Sequence, residues 1–313
     1  MVLDLQTIQH LITAFLNLAV AVLTGASVSR LWLGRSGASA WAGARRQPVR
    51  NAAIGSAIVA LMANACLLWI ESAAMAEVSV AEAGGATWTM LTSTHLGLAW
   101  AIGMAGLLVA AAGTFVGGDR SPGPGVLTLA ALGVFWYTRS MVSHAASEGD
   151  FSVRLLADWI HLGLISLWVG EVILSGGVML RRAGNITRAD RRVRAAYVAS
   201  LSSSATFALV GIFITGLYAS WRSLDGLENL VGNPYGNTLV AKLLLVGAAA
   251  MLGGFNRFFV MLPWLASESA GNAAPEGLPA RFRRILWIEA LVLVVVIVLA
   301  AWLASTSPPG EQM

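Results

Sequence analysis

Along this chain long apolar stretches alternate with short polar linkers, and the stretches are of membrane-crossing length. A transmembrane helix needs about 20 predominantly apolar residues. Eight segments qualify, roughly 6–34, 51–76, 88–116, 124–147, 153–181, 194–221, 236–262 and 282–305. Glycine and proline punctuate the intervals: Gly34 to Pro48, Gly84-Gly85, Gly117 to Gly125, Gly149-Asp150, Gly226 to Pro234, and Gly271 to Pro279. No interval has room for a separate soluble domain. The pattern predicts an all-α fold, with residues 1–313 forming a single membrane domain built as a bundle of eight transmembrane helices.

Composition agrees. Of 313 residues, 57% are hydrophobic and only 12% charged, against about 25% charged in soluble domains. Mean hydropathy is +0.72 and the pI is near 9.8. A basic pI can signal nucleic-acid binding, but the positions of the charges point elsewhere. Arg30, Arg35, Arg45, Arg46 and Arg50 flank the first linker, and Arg120 lies in the third. Arg181, Arg182, Arg188, Arg191, Arg192 and Arg194 fill the fifth, and Arg257, Arg281, Arg283 and Arg284 flank the seventh. The even linkers are acidic, with Glu77 and Glu82, then Glu148 and Asp150, then Asp225 and Glu228. The positive-inside rule then predicts cytoplasmic odd linkers and both termini on the periplasmic side of a bacterial inner membrane. The partner implied is a lipid bilayer, with no nucleic acid. No Lys or Arg precedes Arg30, so the first apolar segment lacks the basic start of a signal peptide and is expected to stay in the mature protein.

Under this topology all four histidines, His10, His95, His144 and His161, fall near the outer ends of four different segments. Imidazole is the commonest protein ligand for transition metals, and a histidine inside a membrane is a functional candidate by default. His95, on this reading about two turns below the outer edge, completes a three-histidine metal site with His144 and His161. His10 is either a further ligand or an interfacial residue.

Two neighbours refine the site. Asp158 lies three residues before His161 on one helix face, where a carboxylate can orient the ring. Met141 lies three before His144. Thioether plus imidazole suits copper, and plain packing is the alternative. Met62 and Cys66, four apart on the second segment, are either soft relay ligands or packing. Charges inside the spans usually face the bundle interior, and here they include Glu71, Arg139, Glu171, Lys242 and Glu289. Glu171 and Glu289 either relay protons or cations or act as hydrogen-bonded ties between helices. A single cysteine, Cys66, excludes an internal disulfide framework and a cysteine-rich zinc site. Walker, dinucleotide and zinc-protease signatures are missing, so no enzymatic role is expected. Redox activity is the runner-up, as a b-type haem protein with the histidines as axial ligands. A copper-binding partner protein that moves no metal is the third reading.

From about residue 140 to 265 the chain resembles the CopD/PcoD copper-resistance membrane proteins. The matching stretches are Ser143-His144-Ala145, Asp158-Trp159-Ile160-His161, Trp168-Val169-Gly170, Thr215-Gly216, Tyr235-Gly236, Lys242 and Gly253-Gly254-Phe255-Asn256-Arg257. Eight spans with both termini outside are also similar to that family. One departure is Glu171, where the family often carries a second glycine. The resemblance implies copper, as Cu(I) or Cu(II), as the transported ion, moved across the inner membrane by import from the periplasm. It also implies a separate periplasmic CopC-like copper-binding partner.

Overall fold

The computed structural model describes residues 4–37, 39–116, 123–181, 187–224, 226–270, 272, 275, 277–306 and 308–309. Arg120, Arg182 and Asp225, used above to orient the chain, lie outside the described residues. Every element among the described residues is helical. The long helices are α1 (Leu5–Gly34), α2 (Ala40–Met75), α4 (His95–Phe115), α5 (Gly123–Met141), α6 (Val153–Leu174), α7 (Arg188–Leu224), α8 (Pro234–Phe255) and α10 (Leu278–Leu303). Two short helices, α3 (Gly84–Ser93) and α9 (Leu262–Ser269), complete the set. π-Helical turns at Ser175–Met179 and Asn256–Met261 extend α6 and α8.

Among the described residues, seven helical stretches are long and apolar enough to cross a membrane. The predicted fourth span, α5, is not among them. It runs 19 residues, opens on Gly-Pro-Gly and carries Arg139 in its last turn. The predicted third span is broken. Thr94 adopts an extended backbone, and its hydroxyl accepts from the Gly97 N–H at 2.9 Å and donates to the Met90 carbonyl at 2.7 Å. The chain folds back so tightly here that a Cβ on Gly97 would sit 2.0 Å from that carbonyl oxygen. His95 therefore opens α4 as its first residue rather than lying two turns inside a helix.

The predicted first linker is largely helix. α2 starts at Ala40 and runs through Pro48, although proline removes a backbone donor. A partner far along the chain fixes this start. One carboxylate oxygen of Asp190, on α7, accepts from the Trp41 N–H at 3.0 Å and the Ser39 hydroxyl at 2.7 Å. Its other oxygen accepts from the Thr187 hydroxyl at 2.9 Å. Asp190→Ala leaves the buried Trp41 N–H without that acceptor, at a cost of about 1–3 kcal/mol. The expected result is a lower melting temperature in detergent; an unchanged one would show that the Ser39 cap suffices.

α1 is the central helix. Its most apolar stretch is 61% buried, against 11% for the helix running Pro234–Ser269. Wrapped around it are α2, α5, α6 and α10, while α7 and α8 turn Phe213, Leu217, Leu244 and Met251 outward. Such an apolar exterior suits lipid.

Hydrogen bonds define two ends. At one, Arg30 reaches the Gly113 carbonyl, Arg50 the Phe115 carbonyl, and Arg45 the carbonyls of Met179 and Arg181. This is the arginine-rich end. At the other, Gln9 donates to Glu71, Ser305 meets His10, and His95 meets Asp150. Trp69, Trp88, Trp221 and Trp302 are exposed on helices near this second end, as an interfacial aromatic belt requires.

Candidate metal centre

The four histidines lie on elements that meet at the second end, each in a different setting. His161, half-buried on α6, bonds through Nδ1 to the Thr215 hydroxyl of α7 at 2.8 Å. That hydroxyl donates its one proton to the Gly211 carbonyl at 2.7 Å, one turn back. With its proton there, the hydroxyl accepts from the ring in the tautomer that carries the proton on Nδ1. The Ile212 carbonyl, 3.4 Å from the same hydroxyl, is a further acceptor beside the ring. Nε2 is left as the ring's lone-pair atom. A histidine that ligates a metal through one nitrogen usually donates the other N–H to a fixed acceptor. Gly216 gives the ring its place, since a Cβ there would sit 3.2 Å from Cε1.

Asp158 does not hold the His161 ring in the way their spacing suggests. One oxygen accepts from the Ser140 hydroxyl of α5 at 2.7 Å and lies 3.3 Å from that of Ser143. Ser143 caps the turn His144–Glu148 through the Ala145 N–H. The carboxylate thus tethers the segment that carries His144. α5 ends at Met141, so Met141 and His144, both half-buried, do not share a helical face as expected. Lys242 of α8 lies near enough to Asp158 and His161 to interact with both.

His95 is exposed and pairs through Nε2 with Asp150 at 2.7 Å. Tyr137 donates to the Asp150 carbonyl at 2.6 Å, and Arg222 pairs with Glu148 on the same loop. Asp150 had entered the sequence reading only as a linker charge; its adjacency to Gly149, at φ 98°, was the available signal for a turn aimed at a partner. His10 is buried, 2.5 Å from the Ser305 hydroxyl through Nε2 and packed on Trp302 with ring centroids 4.9 Å apart. It joins the start of α1 to the end of α10. Among the described residues no three of His, Cys, Asp and Glu come together as a group able to hold a metal ion. Met62 and Cys66 are both exposed on α2.

Charges within the bundle sit in separate settings. Glu71 and Arg139 line one small cavity with Asn64 and Trp100. Glu289 accepts from Trp168 Nε1 at 3.0 Å and would lie 3.3 Å from a Cβ on Gly253. Glu171, fully buried, accepts from the Ser204 hydroxyl at 2.7 Å, while its Oε2 has no partner. Sequence reading missed Ser204 and also Tyr197, whose hydroxyl lies 2.8 Å from Ser175 and 3.2 Å from Ser29. Neither a lone tyrosine nor the run Ser202-Ser203-Ser204 shows from sequence which hydroxyl meets a neighbouring helix.

The stretches that carried the resemblance meet in space. Ser143, Asp158, His161, Thr215, Gly216 and Lys242 surround one polar region between α5, α6, α7 and α8. Deeper in, Trp168, Gly253 and Asn256 gather where α10 crosses, Asn256 donating to the Phe282 carbonyl at 3.2 Å.

Comparisons with known proteins place the chain in a family. Residues 195–303 match the family model described as copper resistance protein D, and residues 3–153 match the model of the copper resistance protein D-like N-terminal domain. Copper resistance protein D of Pseudomonas syringae pv. tomato is 28% identical over 270 residues, covering 84% of this chain and 86% of that protein. No solved structure matches. With two family models spanning most of its length, this membrane protein belongs to the copper resistance protein D family.

Proposed function

We propose that the chain moves copper across the bacterial inner membrane, inward from the periplasm, and that His161 anchors capture of the ion. The observation that carries this reading is the bond from His161 Nδ1 to Thr215, which leaves Nε2 as a ready donor beside residues of the family pattern. Imidazole and thioether are suitable donors for copper. His144 and Met141 supply further ligands from the turn that Asp158 tethers. His95 joins by exchanging Asp150 for the ion, and His10 stands at the rim. Cu(I) or Cu(II) is the cargo here. The histidine-bearing end faces the periplasm, as do both termini, and a CopC-like protein delivers the metal there.

Inward passage runs along α6 towards Glu171, whose unpartnered oxygen can accept a proton or a cation, and Glu289 lies beside that route. Met62 and Cys66 face outward, and a relay through them would need a second surface against α2.

The test is the metal content of detergent-purified protein after copper loading. About one copper per chain is expected, with loss of most of it in His161→Ala and in His144→Ala. Normal copper affinity in His161→Ala would sink the proposed anchor. A Soret band in the purified protein would replace copper with haem as the histidines' ligand. Copper uptake into sealed vesicles separates transport from mere binding.

A further inference from the structure

The arginine-rich end contains a cavity of about 520 Å³ between the end of α6, the start of α7, α9 and the first three turns of α10. Arg181, Arg194, Arg283 and Arg284 line it, with Trp264 and Trp287. Like charges so close repel unless an anion joins them. The carboxylate at hand is Glu268, and it is already shared. Arg191 approaches it at 3.3 Å and Arg194 at 3.5 Å, the latter also lying 5.0 Å from the centre of the Trp264 ring. Arg283 uses Nε to hold the Gly176 carbonyl at 2.9 Å, leaving its two terminal nitrogens. Among the described residues no carboxylate pairs with Arg181, Arg283 or Arg284. The start of α10 adds to the positive field. Gly277 provides no side-chain cap there; Leu278 donates its N–H to the Pro275 carbonyl at 3.2 Å and Pro279 has none, so the contribution is the positive end of the helix dipole itself.

We propose that this cavity binds the phosphate of a net-anionic phospholipid headgroup. Guanidinium forks match phosphate oxygens in a bidentate manner, and basic pockets at membrane surfaces take such headgroups. The face of α10 below the cavity says what kind of molecule delivers the phosphate. Arg284, Trp287, Ile288, Leu291 and Val295 succeed one another at helical spacing, and the last four are 42%, 45%, 64% and 48% exposed. Headgroup charge, amphipathic ring and apolar track thus follow in the order of a phospholipid's own parts. A soluble phosphate would use the arginines and leave the track bare.

The experiment uses the full chain, delipidated in detergent, and reads melting temperature and retained ligand by native mass spectrometry. The probes are phosphatidylglycerol, phosphatidylcholine and inorganic phosphate. Phosphatidylglycerol is expected to raise the melting temperature and to remain bound, with at least about tenfold preference over phosphatidylcholine. Arg283→Gln with Arg284→Gln abolishes that preference. Arg284→Gln alone, an exposed site with no tertiary bond to lose, reduces it. Arg188→Gln, an equal charge loss outside the cavity, leaves it unchanged. Equal stabilisation by inorganic phosphate would overturn the lipid source. A phosphatidylglycerol preference that survives the double variant would overturn the site.

Discussion

Gly170→Ala is expected to prevent α1 and α6 from docking, and so to remove most of the folded protein. A Cβ at Gly170 would stand 1.8 Å from the Ala21 carbonyl oxygen and 2.8 Å from the Gly25 nitrogen. From the other side, a Cβ at Gly25 would lie 2.3 Å from the Gly170 carbonyl carbon. Every one of these neighbours is backbone, so no rotamer change relieves the contact. The two helices would have to move apart along their whole crossing. α1 is the most buried of the membrane-length helices, and such separation loosens the helix on which the others pack. Overpacking ordinarily costs about 1–3 kcal/mol, and this case should exceed that range, because close approach of small residues is what holds membrane helices together. Gly133→Ala is the control, since nothing lies within 4 Å of a Cβ there. Size-exclusion profiles and thermal melts in detergent would compare the two. A Gly170→Ala protein that is monodisperse and melts like the parent would show that α1 and α6 do not cross at this contact.

The same glycine shows what could be read from the chain beforehand. Trp168-Val169-Gly170 is recognisable as a stretch of the family pattern. The partner, Ala21 and Gly25 on the first helix, was not readable, because the contact joins helices some 145 residues apart and neither side carries a charge or a motif. Hydropathy located the membrane helices well and their ends poorly. It merged α3 with α4, since Thr94 differs from its helical neighbours only in backbone conformation. It cut α2 short at Pro48, since the capping carboxylate, Asp190, comes from a distant helix. It also counted α5 as a full span, although the helix stops at Met141 before reaching His144. The candidate ligands followed the same rule. Their shared end could be read from charge patterning, whereas the partners that fix them depend on which helices are neighbours. Spacing along one helix offers Asp158 as a group that can orient His161. The partners came from adjacent helices instead, Thr215 for the ring and Ser140 for the carboxylate.

Thr215→Val should therefore be the most informative change at the candidate metal centre that leaves every proposed ligand in place. Valine preserves the shape of threonine and removes the hydroxyl that fixes His161. Its Gly211 bond is a local i−4 contact that a helix does not need, so the bundle should remain folded. The ring, however, loses the hydroxyl that accepts its Nδ1 proton, keeping only the Ile212 carbonyl beside it, and the imidazole is less firmly held in one tautomer and orientation. Loss of such a supporting partner lowers metal affinity by about 10–100-fold. Copper binding by the full-length protein should weaken to that extent in Thr215→Val and recover in Thr215→Ser, which restores the hydroxyl without the methyl group. A purely structural role for Thr215 predicts the opposite order, because serine leaves a methyl-sized gap at this buried site and valine does not. Parental copper affinity in Thr215→Val, alongside loss of copper in His161→Ala, would mean that the ring is held by the metal and its other ligands rather than by α7. Weakened binding rescued only by serine would establish that the protein sets the protonation of His161 before the ion arrives.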